Sequence, residues 1–106
     1  MKTVALALLG LALIVASAAH ALGSGAAGVE IKEFRFAPTA LEIRQGTTVT
    51  WTNHDEETHT ITSTTGAFGS GGLGNDETFA QTFSRPGVYE YFCALHPRMR
   101  ATVVVK

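Results

Sequence analysis

From residue 29 onward, apolar and polar positions alternate with a period of two in short runs broken by Gly, Pro and Asn. That is the pattern of half-buried β-strands. Val29 and Ile31 share one parity, and Phe34 and Phe36 share the other. A single strand with a bulge near Glu33 would bring both pairs to the same face. Pro38 ends that segment, and Leu41-Glu42-Ile43 forms a short strand closed by the turn Gln45-Gly46. Thr47 to Thr52 sets Val49 and Trp51 inward, and Thr48, Thr50 and Thr52 outward. A polar loop, Asn53 to Thr58, leads to a further strand at His59-Thr60-Ile61-Thr62.

Thr65 to Asn75 carries five glycines around Phe68 and Leu73. It reads as a loop whose apolar residues cover something. Thr78 to Phe83 alternates again, Arg85-Pro86-Gly87 is a turn signal, and Val88 to Cys93 sets Tyr89, Tyr91 and Cys93 on one parity. Ala101 to Lys106 is a terminal, valine-rich strand. No window beyond the N-terminal segment carries a helical period. About seven short strands with Gly/Pro turns predict an all-β fold, an antiparallel β-sandwich with Greek-key connections.

The N-terminus obeys another rule. Lys2, the apolar run Val4 to Val15 and the small-residue site Ala19-His20-Ala21 make the three-part form of a secretory signal peptide. The run falls short of the about 20 apolar residues needed to span a bilayer, and Ser17 and His20 keep it from extending. Cleavage after Ala21 is expected, so residues 1–21 are a signal peptide, 22–28 a Gly/Ala-rich flexible lead-in, and 29–106 the folded domain. No cysteine lies near the cleavage site to accept a lipid. The expected location is the periplasm or the cell exterior.

Removing residues 1–21 from the 106 leaves 85, with seven Lys/Arg against nine Asp/Glu. Such a domain has a modest core and no basic field for nucleic acid. Its one cysteine, Cys93, has no partner for an internal disulfide. An unpaired thiol is out of place in an exported protein, and metal ligation removes the anomaly.

Tyr91-Phe92-Cys93-Ala94-Leu95-His96-Pro97-Arg98-Met99 sets a thiol, an imidazole and a thioether in the spacing Cys-x2-His-x2-Met. Soft sulfur donors beside imidazole favour copper, in a set of two His, one Cys and a weak axial Met. Taken singly, Cys93 reads as an inert buried thiol, His96 as a turn residue and Met99 as core filler. As a set they are specific. The second imidazole is His54 or His59, since His20 leaves with the signal. Strict alternation from Val49 and Trp51 turns Asn53 inward and His54 outward, whereas His59 shares parity with Ile61. That favours His59.

Several stretches together resemble the cupredoxins, and among them the amicyanin, plastocyanin and pseudoazurin group. They are Val49-Thr50-Trp51-Thr52-Asn53 leading to His59, Phe79-Ala80-Gln81-Thr82-Phe83, Pro86-Gly87-Val88-Tyr89-Glu90-Tyr91-Phe92-Cys93, and Cys93-x2-His96-x2-Met99. The short loop from Cys93 to Met99 and the spacing from Trp51 to His59 look most like amicyanin. The resemblance covers nearly all of the chain after residue 21. It implies His59, Cys93 and His96 as strong copper ligands, Met99 as the weak axial one, and Asn53 as a support for the ligand loop. Thr58 stands where several relatives carry proline, and Thr60 where they often carry asparagine. The segment between His59 and Cys93 is shorter than theirs.

The expected function is single-electron transfer by one copper ion cycling between Cu(I) and Cu(II), in a monomeric carrier that is not an enzyme. Redox partner proteins would dock transiently at an apolar patch of Ala94, Leu95, His96 and Pro97, extended by Phe68 and Leu73. Arg98, Arg100 and the run Asp55-Glu56-Glu57 are candidates for steering them. Two competing classes remain open. A copper carrier or storage protein would use the same soft donors without a redox partner. A zinc enzyme with Glu56 or Glu57 as base would need an open coordination position.

Overall fold

The computed structural model describes residues 25–106, so the expected signal peptide and its cleavage site lie outside the described residues. Eight strands make up the fold. They are β1 (Ala26–Lys32), β2 (Arg35–Ala37), β3 (Ala40–Ile43), β4 (Thr47–Asn53), β5 (Thr62–Ser63), β6 (Thr78–Phe83), β7 (Gly87–Phe92) and β8 (Arg100–Val105). Among the described residues none is helical, so no helix there is long and apolar enough to cross a membrane.

The strands form two four-stranded sheets, ordered β2-β1-β4-β6 and β3-β8-β7-β5. The sandwich is as expected, but each sheet is mixed. β1 runs parallel to β4, and β3 parallel to β8. Successive strands from β2 through β7 keep changing sheet, so apart from β1/β2 and β7/β8 no sheet neighbours are consecutive in sequence.

Alternation was a sound guide where a strand has one solvated face. In β4 every second residue from Thr47 to Asn53 is buried, with Val49, Trp51 and Asn53 among them. From the other sheet Tyr91, Val103 and Val105 are buried in the same core. Trp51 is the hub. It stacks on Phe68 at 6.1 Å and meets Tyr91 edge-on at 5.5 Å. Burial pushes the Tyr91 phenol up to about 12, and the nearby Trp51 N–H works the other way without reaching hydrogen-bond geometry.

Three local expectations are corrected. The stretch from Val29 to Phe36 is two antiparallel strands rather than one bulged strand. Lys32 pairs with Arg35 across a two-residue turn, Glu33-Phe34, with φ of 55° and 58°. Positive φ at both central residues suits the twist of a hairpin but normally selects Asn-Gly, and nothing in Glu-Phe announces it. Phe34 is therefore at a turn tip, 44% exposed, and outside the core. Second, β1 begins at Ala26, so residues 26–28 of the expected lead-in are paired, with Thr48 to Thr50. Third, the strand expected at His59 to Thr62 reduces to β5 and isolated bridges, His59 to Leu73 and Thr62 to Gly69.

The glycine-rich loop does cover something. Phe68 and Leu73 are buried in the core, and Ser70 binds Ile61 through both its amide and its hydroxyl. They are consequently not available to extend a surface patch.

Candidate metal centre

The end of β7 delivers Cys93, which is fully buried, to one pole of the sandwich. Beyond it the chain folds back through three backbone bonds. His96 N–H donates to Cys93 O at 3.2 Å, Met99 N–H to His96 O at 2.9 Å, and Cys93 N–H to Met99 O at 3.1 Å. Two successive turns thus close a seven-residue loop, and β8 starts at once from Arg100. The loop is short enough that its donors have little freedom. Met99 is buried where it closes.

His59 arrives from the opposite side. Its amide and carbonyl exchange bonds with Leu73, at 3.1 and 2.7 Å, and its side chain is fully buried. Asn53, inward at the end of β4, holds the approach to it. The Asn53 amide donates to Glu57 O and Leu73 O, both at 2.9 Å, and its carbonyl oxygen accepts the Asp55 N–H at 2.9 Å. A buried amide with both donors and its acceptor engaged is a rigid joint. The supporting role implied for Asn53 has this physical basis.

The side chains of His59, Cys93 and His96 converge. One ligand atom from each lies within 4.8 Å of the others. Cys93 Sγ is 3.7 Å from His59 Nδ1 and 3.8 Å from His96 Nδ1. On the far edge of the His59 ring, Nε2 lies 2.9 Å from Asp55 Oδ2. A carboxylate can only accept, so Nε2 carries the proton of this bond, and Nδ1 is the nitrogen turned toward the sulfur. Carboxylate, imidazole and the Nδ1 donor then stand in line, the arrangement that orients a metal-binding histidine. The sulfur accepts the Thr60 N–H at 3.3 Å, and the Thr60 hydroxyl accepts the Ala94 N–H at 2.8 Å. The threonine thus ties the two halves of the site together.

His54 is not part of this group. It is exposed and its Nε2 lies 3.1 Å from Glu30 Oε1, as alternation required. Asp55 is not a free surface charge either. Its Oδ1 accepts the Glu33 N–H at 2.7 Å, and its Oδ2 accepts the Phe34 N–H at 2.9 Å. Burial works against its ionised form, but the Phe34 N–H, the His59 ring and the Glu33 N–H outweigh it and hold the carboxyl below its ordinary value. Each left-handed non-glycine residue costs about 1–2 kcal/mol, and charge-assisted bonds of about 1.5–3 kcal/mol are large enough to offset that.

His96 is half-buried and borders an open hollow of about 610 Å³ with Phe34, Leu95, Pro97 and Met99. Arg35 and Arg98 rim it, and neither has an ion-pair partner among the described residues. Arg100 lies instead over the Phe92 ring at 5.5 Å. Phe34, Arg35 and the inward role of Asp55 were missed from sequence. Asp55 and His59 are four apart, but in an irregular loop that spacing carries no directional signal.

The Cupredoxin-like domain family matches residues 5–105. The chain belongs to the cupredoxin family. It is 32% identical over 94 residues to amicyanin of Paracoccus denitrificans, spanning 84% of this chain and 72% of that one. Among solved structures, the Cu(I) form of an amicyanin variant superposes with a TM-score of 0.74 at 30% identity, covering 77% of this chain and 83% of the other. A purple cupredoxin from Nitrosopumilus maritimus superposes with a TM-score of 0.70 at 35% identity, covering 76% and 99%. Amicyanin-like cupredoxins are copper electron carriers rather than enzymes. The donor set of this cupredoxin, one cysteine sulfur and two imidazole nitrogens, fits a single copper ion.

Proposed function

We propose that this cupredoxin is an exported, monomeric carrier of single electrons, with copper held by His59, Cys93 and His96 and with Met99 in the axial position. The observation that carries the reading is the convergence of two Nδ1 atoms on one buried sulfur, all within 4.8 Å. Copper, when bound, supplies the one-electron couple.

The chain supplies the rest. Transfer is fast when little moves, and the donors here are held by bonds that do not depend on a metal. His59 is fixed by Leu73 and Asp55, and Cys93 by the loop bonds and the Thr60 N–H. That N–H stabilises negative charge on the sulfur, the ligating form of cysteine. Met99 and the sandwich core keep water from the sulfur. His96 alone reaches toward solvent, so its ring is the route by which electrons enter and leave.

The docking face is the hollow beside His96. Its apolar centre of Phe34, Leu95 and Pro97, with Arg35 and Arg98 at its rim and unpaired among the described residues, fits a redox protein offering an apolar contact ringed by carboxylates. A small, partly polar contact favours quick release, which suits a shuttle.

The test is voltammetry of the copper-loaded domain alongside metal analysis. One copper per chain with reversible one-electron cycling is expected. Tight copper binding without reversible cycling would replace the carrier with a storage protein.

A further inference from the structure

The turn between β1 and β2 belongs to none of the ligand motifs, yet it reaches the site. The Phe34 ring meets the His59 imidazole edge-to-face at 4.9 Å and 85°, and the His96 imidazole at 4.9 Å and 90°. The two imidazoles are 5.1 Å apart. One aromatic ring therefore touches both.

Burial does not explain its place, because Phe34 stays 44% exposed at a turn tip with φ of 58°. Such an outlier persists only where its surroundings over-determine it. Here the surroundings are one carboxylate. Asp55 accepts the amides of Glu33 and Phe34 and also the Nε2–H of His59. The position of the turn and the orientation of the ligand are set by the same group.

The two histidines differ in their need for support. His59 is buried, paired through its backbone and bonded at Nε2. His96 sits on a loop, half-buried, and its Nε2 has no hydrogen-bond partner among the described residues. Its ring angle on the solvent side is fixed by packing, and edge-to-face packing is directional.

We propose that Phe34 is a positioning residue of the metal centre, seated by Asp55 and bracing the His96 ring against His59 whether or not a metal is bound. The proposal rests on the copper reading for its consequence, slow metal release. Its core, the immobility of the His96 ring, does not depend on any metal.

Phe34→Gly removes the ring and relieves the left-handed backbone while leaving the Asp55 bonds available. Phe34→Tyr keeps the ring edge. Asp55→Asn weakens the seat. Two measurements apply to the whole domain, namely imidazole relaxation by NMR in the metal-free protein, and the rate of copper release to a Cu(I) chelator. In Phe34→Gly the His96 ring is expected to become mobile while His59 stays rigid, and copper release to rise about 10- to 100-fold, the usual cost of losing a supporting group. Phe34→Tyr restores both. Asp55→Asn loosens His96 as well, and adding it to Phe34→Gly loosens His96 no further.

A His96 ring as rigid in Phe34→Gly as in the wild type overturns the proposal, as does release changed by less than twofold in a variant that binds copper normally. Failure of the wild type to bind copper, with His96 still loosened by Phe34→Gly, sinks the copper reading and leaves the brace standing.

Discussion

His59 Nε2 and Asp55 Oδ2 are 2.9 Å apart, on the edge of the imidazole opposite Cys93. That single contact takes up Nε2 and turns the other ring nitrogen, Nδ1, toward the sulfur. The same carboxylate holds the Glu33-Phe34 turn. The candidate ligand His59 and the hairpin over it are thereby one mechanical unit.

The choice between the two loop histidines has a simple outcome. His59→Ala removes a buried donor and is expected to abolish stoichiometric copper binding. His54→Ala breaks only a contact with Glu30 on an exposed face, where pairs are worth about 0–1 kcal/mol. Copper titrations followed by visible absorption check this, and equal loss in both variants contradicts the assignment.

Met99→Leu keeps the volume that closes the ligand loop and removes the thioether. Copper is expected to stay bound, while the reduction potential rises because a donor that favours Cu(II) is gone. Each tenfold change in relative affinity for the two oxidation states corresponds to about 59 mV. Voltammetry reads the shift, and an unchanged potential contradicts axial ligation.

Asn53→Ala leaves the Glu57 carbonyl and the Asp55 N–H without their partner, and takes from the Leu73 carbonyl one of its two donors, the His59 N–H remaining. Each buried polar group left unsatisfied costs about 1–3 kcal/mol. A loss of about 2 kcal/mol or more in denaturant unfolding is expected. In a domain of this size each kcal/mol lowers Tm by about 4–8 °C.

The docking face and the core separate two apolar residues that look alike in sequence. Leu95, 56% exposed, borders the hollow, whereas Phe68 is packed under Trp51. Leu95→Glu is expected to slow electron self-exchange between oxidised and reduced protein about tenfold or more, with the potential and the stability unchanged. Phe68→Ala is expected to destabilise by about 3–5 kcal/mol and to leave self-exchange of the folded protein intact. NMR line broadening in mixed samples measures the exchange.

The sheets were legible wherever one face is solvated, because period-two alternation then carries the burial directly. β4 is the clearest case, and its parity turned His54 outward, while the parity of His59 with Ile61 turned His59 inward. The Cys93-to-Met99 loop was legible because its chemistry is packed into consecutive residues. The features that escaped depend on contacts across the chain. The Glu33-Phe34 turn has no turn residues, since its backbone is held by Asp55, 21 and 22 positions away. That Phe68 and Leu73 lie inside, and not on the patch beside His96, was hidden because a glycine-rich loop has no period to read. The parallel pairings were hidden too, as strands with one solvated face alternate alike in either direction.

The central claim is that a thiolate and two imidazoles stand ready for one copper ion and keep their places when it changes charge. X-ray absorption at the copper edge of the loaded domain, oxidised and then reduced, tests it most directly. The expected result is one sulfur at short distance and two imidazole nitrogens in both states, with the sulfur lost in Cys93→Ser. A first shell without that sulfur, or one that exchanges a nitrogen on reduction, would contradict the account.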